Sequence, residues 1–386
     1  MIVLLWWMPG DISSSGIKYN YLQSQVDTMV KCPTCGGTTC IEPADDVLDS
    51  IYQIYSACPE CQPGPAWHKL TALVDQPGLP VIDNFDAVTL RCASCGRRPL
   101  DAVMAHALYI MMGHGDRNDD AGLSQVGTPL IARGFPIMYP PRLGPDSIVL
   151  ITDNVGQAAA EDIVDRVPEI KGVVLRQGGQ AESVGILDSN SSPHEYTLLA
   201  GCDMRCDVAQ TAFGELVIYK NQSKIHIEFD NRHKMDILGK LDMQGLLIGR
   251  VVVDGMCGPG TLGLMSMLAG ASKVVFNDAW RPAIENLLLN IEVNKELLGV
   301  DVELEIIMPL EDLPVVGDET VLVARVMGGG EQAAVAAEVY FGDLRKLSGI
   351  VEKWDVCLID AFPAMEPSEF VNIWTGKHSG GNLIVV

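Results

Sequence analysis

From Gly249 to the last residue, short apolar runs alternate with longer segments of helical period. Gly249–Val253, Lys273–Phe276, Val302–Ile307, Val321–Val326, Val356–Ile359 and Leu383–Val386 read as strands. Several are apolar throughout, the mark of a strand covered on both faces. Between them, Gly263–Ala269, Pro282–Leu298 and Pro367–Thr375 repeat their apolar positions every three to four residues, as helices do. Alternating β and α at this spacing predicts an α/β fold with a doubly wound, Rossmann-like parallel sheet over residues 241–386. Right-handed crossovers would then collect the strand C-termini on one edge, where such sheets bind ligands.

The pattern upstream is different. Residues 126–240 predict an α+β accessory domain. Its strands are expected at Ser147–Ile151, Gly172–Arg176, Leu198–Gly201, Gly214–Lys220 and Lys224–Phe229, its helix at Ala158–Val167, and a turn at Gly178-Gly179. Residues 1–125 carry helical spacing at Asp45–Tyr55 and Leu100–Met112, with a polar, glycine-rich linker from about Gly113. Met1–Met8 is apolar, but it is short and lacks a basic start, so it predicts a strand rather than a signal peptide. No apolar run reaches the roughly 18 residues of a membrane span, so a cytoplasmic protein is expected.

Cysteine changes the picture of the first region. Of 11 cysteines, seven lie between positions 32 and 95. Six form C-x-x-C pairs: Cys32/Cys35, Cys58/Cys61 and Cys92/Cys95; the seventh is Cys40. Two thiolates three positions apart face one ion when the chain turns tightly, and Gly36 and Gly96 follow two of the pairs to permit that turn. In a reducing compartment disulfides are rare, so structural zinc is preferred over an iron–sulfur cluster or bare thiols. The pairing is open: one four-cysteine site with a spare pair, or two ions with Cys40 and His68 completing the ligands. Zinc here would staple a small, zinc-ribbon-like module. Cys202 and Cys206 read as small buried residues near a turn, with an extra metal pair as the alternative.

The strand Val251–Asp254 runs into Gly255-Met256-Cys257-Gly258-Pro259-Gly260-Thr261. Gly258 and Gly260 allow a sharp turn and close approach of a ligand, and the next helix aims its positive end at the same place. The following strand ends in Asn277-Asp278, where a carboxylate is placed to accept ribose hydroxyls. Two ligands compete. NAD would set a pyrophosphate on the helix N-terminus; S-adenosylmethionine would set its cationic amino-acid end near Asp254. A carboxylate beside a pyrophosphate repels it, which favours the second. Asp343, with Leu344 after it, fits a third strand tip able to accept from an adenine amino group, and Asp360-Ala361-Phe362-Pro363 ends a fourth, where a methyl acceptor would lie.

On these residues the sequence resembles class I methyltransferases, and more narrowly the archaeal and eukaryotic type of tRNA guanine-N1 methyltransferase with its aminocarboxypropyl-transferring relatives of the wybutosine pathway. Val252–Gly260, Asn277–Ala283, Asn290-Ile291 with Asn294, and Gly342–Arg345 carry the likeness, and Val167–Val174 and Leu198–Gly201 extend it into the preceding domain. The resemblance implies S-adenosylmethionine held by Asp254, Gly255, Cys257, Gly258, Gly260, Asn277, Asp278, Asp343 and Leu344. At the acceptor, Asp360 is the candidate to orient or deprotonate it, with His233 or Asp236 as a second base candidate. Where that family carries a Glu-Arg pair before its catalytic domain, this chain has Phe229–Asp236. Together with acidity and reduced cysteine pairs, the likeness fits an archaeal cell.

Charge then selects among acceptors. The chain holds 27 Lys and Arg against 50 Asp and Glu, a net −23, and residues 241–386 alone carry −12. Such a field repels polyphosphate unless a basic patch offsets it. The local basic clusters are Arg97-Arg98 and Arg232-His233-Lys234. The expected acceptor is therefore a protein side chain or a small molecule, with a tRNA base, modified by methyl or aminocarboxypropyl transfer, as the alternative. A non-catalytic zinc and S-adenosylmethionine-binding scaffold is the remaining reading.

Overall fold

A computed structural model describes residues 31–386, apart from 80–84, 87, 178–182, 229–231, 300–302, 329–333, 363–364 and 378–379. The expected Met1–Met8 strand, the Gly178-Gly179 turn and Pro363 lie outside the described residues. The first elements are α1 (Ala44–Ile54), β1 (Arg98–Pro99), α2 (Leu100–Gly113), β2 (Thr128–Ile131), β3 (Arg133–Gly134) and β4 (Arg142–Leu143). Next come β5 (Ile148–Thr152), α3 (Gln157–Arg166), β6 (Ile170–Leu175), β7 (Thr197–Gly201), β8 (Met204–Thr211), β9 (Gly214–Asn221) and α4 (Arg232–Met243). The remainder is β10 (Val251–Asp254), α5 (Thr261–Leu268), β11 (Lys273–Asp278), α6 (Arg281–Val293), β12 (Glu303–Ile306), β13 (Val321–Met327), β14 (Val335–Phe341), α7 (Leu344–Leu347), β15 (Val356–Ile359), α8 (Ser368–Lys377) and β16 (Asn382–Val385).

The last seven strands form one sheet in the order β12-β13-β14-β11-β10-β15-β16. From β14 to β16 every pairing is parallel, and renumbered by position the order is 3-2-1-4-5, the doubly wound Rossmann-like arrangement. One expectation is corrected: β13 runs antiparallel to both β12 and β14, so the sheet is mixed. Successive side chains alternate between its faces. Val252, Val274, Phe276 and Leu358 pack under α4, α5 and α6, while Val253, Val275 and Cys357 pack under α7 and α8 with Trp374. Burial on both faces is why these strands are apolar throughout.

Upstream, β2-β5-β6-β7 form a four-stranded sheet and β3-β8-β9 a three-stranded one. β8 occupies the stretch expected as a turn near Cys206, and Lys224–Glu228 forms no strand. The core around α2 includes Tyr55, Leu108 and Val126 together with Leu143, Ile148 and Val173, so packing runs unbroken across residue 125.

α6 fastens β9 to the large sheet by an amide ladder. The side-chain oxygens of Asn286, Asn290 and Asn294 accept from the backbone N–H groups of Asn221 (3.1 Å), Tyr219 (2.7 Å) and Val217 (2.9 Å). The Asn290 and Asn294 amides donate back to the carbonyls of Tyr219 (3.0 Å) and Val217 (2.7 Å). Four residues of helix rise about 6.0 Å and two residues of strand about 6.8 Å, so i, i+4, i+8 keeps step with alternate strand residues. The helix thereby satisfies a sheet edge that would otherwise be unpaired and buried.

Candidate active site

β11, β10 and β15 are neighbours, and each ends in an acid: Asp278, Asp254 and, one residue past β15, Asp360. The connection reverses between β10 and β15, which is where open sheets of this order bind ligands. A cavity of about 400 Å³ opens there, lined by Gly255–Pro259, Asp278, Asp343, Leu344 and Asp360 from the sheet edge and by 184–189 and 224–226 from the accessory elements. Cavities of about 300–1,000 Å³ hold ligands of nucleoside size.

The glycine loop takes its shape from backbone requirements. Gly260 has φ +92°, and a side chain there would collide with Leu287; Gly263 packs against Phe276 in the same way. Asp278 braces the loop: its carboxylate accepts from Gly258 N and from Trp280 N, each at 2.8 Å. Asn277 ties three strand ends together, donating to the carbonyls of Gly255 (3.1 Å) and Gly342 (3.0 Å) while its N-terminal neighbour loop returns Cys257 N to its own carbonyl (2.9 Å). Cys257 is buried in this loop, its thiol pushed well up by burial and then by Asp278 and Asp254.

The four strand-end acids sit in four different settings. Asp254 is fully buried and is not among the residues that line the cavity. One oxygen accepts from Gly263 N at 2.7 Å, and the other is buried with no hydrogen-bond partner among the described residues. Burial, followed by the charge of Asp360, pushes its carboxyl up to about 7. Asp278 is pushed up to about 6, chiefly by burial and against the loop N–H groups. Asp360 is raised by burial too, against the opposing Lys234 ammonium 2.5 Å away.

Asp343 differs. It lines the cavity and caps α7 through Arg345 N at 2.8 Å, but its oxygens are also held by the Arg345 guanidinium and by Ser189 Oγ at 2.8 Å. Burial opposes these bonds, yet they keep its carboxyl below the usual range. The acceptor expected for an adenine amino group is thus already engaged. Arg345 also bridges Asp188 and lies 5.1 Å over the Phe370 ring.

Opposite the loop, Lys234 joins Asp360 to Glu228 (2.8 Å) at the start of α4. His226 meets the Phe362 ring edge-on at 5.5 Å, and burial holds its imidazole below the ordinary range. His233 stands exposed at the cavity rim. Asp236, one turn further along α4, is exposed and is not among the residues that line the cavity. Lys234, Glu228 and His226 went unassigned in the sequence; the Arg232-His233-Lys234 cluster was the available signal.

The cysteines gather into two sets of four: Cys58, Cys61, Cys92, Cys95, and Cys32, Cys35, Cys40, Cys202. Within each set the sulfurs all lie within 4.8 Å of one another, with contacts of 3.4–3.7 Å. Tetrahedral coordination at about 2.3 Å per Zn–S bond puts sulfurs about 3.8 Å apart, so both sets fit one ion each. Two of the turns are alike. Cys32 N bonds Gly37 O and Gly36 N bonds Cys32 O; Cys92 N bonds Arg97 O and Gly96 N bonds Cys92 O. Gly36 and Gly96 share φ near +70°, at +69° and +71°. Of the two arrangements the sequence left open, the structure has two sets of four, with Cys40 in the second as expected and Cys202 in the place expected for His68.

The strand order and the strand-end cavity define the class: a Rossmann-like α/β ligand-binding fold with a cysteine-rich module. Among solved structures the chain is similar to wild-type Trm5b from Pyrococcus abyssi, at 16% identity over 62% of this chain and 57% of that one, TM-score 0.33. It is also similar to the M. jannaschii tRNA m1G37 methyltransferase (16%, 58% and 51%, TM-score 0.31) and to the P. abyssi tRNA (uracil-54, C5)-methyltransferase (14%, 60% and 43%, TM-score 0.32). The chain spans about half the length of these structures. No family model matches the sequence, and no curated protein matches it. Among the described residues no helix is long and apolar enough to cross a membrane.

Proposed function

We propose that the chain is an S-adenosylmethionine-dependent methyltransferase whose acceptor is a protein side chain or a small molecule. The observation that carries this reading is the group of three carboxylates, Asp254, Asp278 and Asp360, at adjacent strand ends, with one buried oxygen unpartnered. Like charges in a buried site call for a cation. A sulfonium nucleoside bearing an ammonium group supplies that charge, whereas the pyrophosphate of a dinucleotide would add to the repulsion.

When bound, S-adenosylmethionine supplies an electrophilic methyl group on a positively charged sulfur. The chain's own residues do the rest. Gly258 and Gly260 let the loop come close, Asp278 offers the carboxylate nearest a ribose, and Leu344 and Met256 give apolar walls. Asp360 orients the acceptor and takes its proton as the methyl arrives, for which a carboxyl raised by burial is suited. Lys234 is a positioning residue: it holds Asp360 against Glu228. Alignment of acceptor and methyl supplies much of the rate in such a transfer. The net charge of −23 disfavours tRNA as the acceptor. Structural zinc in the Cys58/Cys61/Cys92/Cys95 set belongs to this reading.

Methyl-labelled cofactor incubated with cell extract tests it. The label should enter a product that protease or small-molecule filtration removes and ribonuclease leaves; ribonuclease sensitivity would transfer the acceptor to RNA. Lys234→Met should slow transfer by ~100-fold while cofactor affinity changes less than about threefold, in line with loss of an acid–base positioning contact. Equal losses of binding and transfer would remove Lys234 from the acceptor side.

A further inference from the structure

The two cysteine sets differ in what they join. Cys58, Cys61, Cys92 and Cys95 all come from one region of the chain. Cys32, Cys35 and Cys40 meet Cys202, which lies 170 residues from Cys32, between β7 and β8. Cys32 and Cys202 are buried in a core that α1 makes with β8, β9 and α6 through Val47, Ile51, Met204, Val217 and Leu289.

Asp203, adjacent to Cys202, is fully buried. One oxygen accepts from Thr34 Oγ at 2.9 Å, inside the Cys32–Cys35 turn, and the other accepts from Ser223 N at 2.7 Å. Its carbonyl accepts from Gln222 N. The chain then runs directly into Lys224, Ile225 and His226, which wall the cavity, and the Lys224 carbonyl accepts from Trp280 Nε1 at 3.0 Å. A single carboxylate therefore connects the cysteine turn to the acceptor side of the cavity.

We propose that Cys32, Cys35, Cys40 and Cys202 bind a second thiolate-coordinated divalent ion, zinc by donor type, and that this ion clamps the N-terminal region to β8 and holds the 222–226 wall in place. Binding releases the thiol protons as the four sulfurs become thiolates, leaving a site of net charge about −2. The first ion staples one module; the second joins regions far apart in sequence, and the wall depends on it through Asp203.

Metal content of purified full-length protein, loaded with zinc or with cobalt(II), measures the first half. The wild type should hold two ions, and Cys202→Ala and Cys35→Ala should each hold one, with thiolate-to-cobalt absorption halved. Cys206→Ala, which alters the same core without removing a ligand, should keep two. Cys35 is exposed, so that variant loses a ligand with little loss of packing and guards against simple misfolding. Hydrogen exchange of the 217–226 peptide measures the second half without any nucleoside. It should speed up at least ~10-fold in both one-ion variants and stay unchanged in Cys206→Ala. One ion in the wild type, two in Cys202→Ala, or an unchanged 217–226 peptide in the one-ion variants would each overturn the proposal. None of these readouts depends on whether the cavity binds S-adenosylmethionine.

Discussion

If Asp254, Asp278 and Asp360 surround a cationic ligand, binding must release protons. In the free protein Asp254 titrates at about 7 and Asp278 at about 6, both raised mainly by burial. At pH 6.5 the first then holds about three quarters of a proton and the second about one quarter, roughly one in total, read as a coupled pair. A sulfonium and ammonium seated beside them favour the ionised forms and expel that proton. The sign follows for stability as well. Both acids sit above their unfolded value, so their contribution to the free protein is complete below about pH 4 and lost as pH rises through 6 and 7. Ligand binding should therefore strengthen with pH, by at most about 500-fold from pH 5 to pH 7 if both acids ionise fully in the complex. Calorimetry at pH 6.5 in two buffers of different ionisation enthalpy counts the protons directly. Asp254→Asn should remove about three quarters of the release. Proton uptake on binding, or a release unchanged in Asp254→Asn, would refute the carboxylate reasoning.

Two further substitutions test the frame around that site. Gly260→Ala puts a side chain at φ +92° and into Leu287, so it should destabilise the protein by about 1–3 kcal/mol and weaken cofactor binding more than about tenfold, measured by thermal shift and calorimetry. Unchanged affinity would separate the loop from the ligand. Asn290→Ala leaves the buried Tyr219 N–H and C=O unpaired and frees the Pro259 carbonyl, so urea denaturation should show a loss of about 2–4 kcal/mol.

The sequence revealed the half of the molecule whose signals are local. Val251–Asp254 is a buried strand, two glycines and an acid follow in order, and Asn277-Asp278 closes the next strand; each is a property of a few adjacent residues. Strand direction is not local, and nothing in Val321–Val326 marks β13 as reversed. α4 buries only Leu238 and Leu241, too few to establish a helical period, so neither the helix nor the placement of Lys234 is legible in the pattern. Cys202 carries no local metal signal because its partners are 160 or more residues away. The asparagines were visible at four-residue spacing, but their meaning needed β9 alongside.

The strand-end acids show how identical sequence positions acquire different chemistry. All four read alike as carboxylates after an apolar strand. Their fates divide by the nearest cation. Arg345, two residues beyond Asp343, neutralises that acid locally and keeps it ionised, so its role is to hold α7 and the 188–189 loop to the sheet. Lys234, brought in by α4 from 126 residues away, leaves Asp360 raised by burial but paired. Asp254 and Asp278 have no salt-bridged cation among the described residues, only backbone N–H donors, and both are pushed up by burial. A buried carboxylate left in that state is stabilised by whatever positive charge enters the cavity. On the proposed reading the missing cation is the ligand's own, which would tie the cofactor's charge, rather than its size or its adenine, to the affinity of this site.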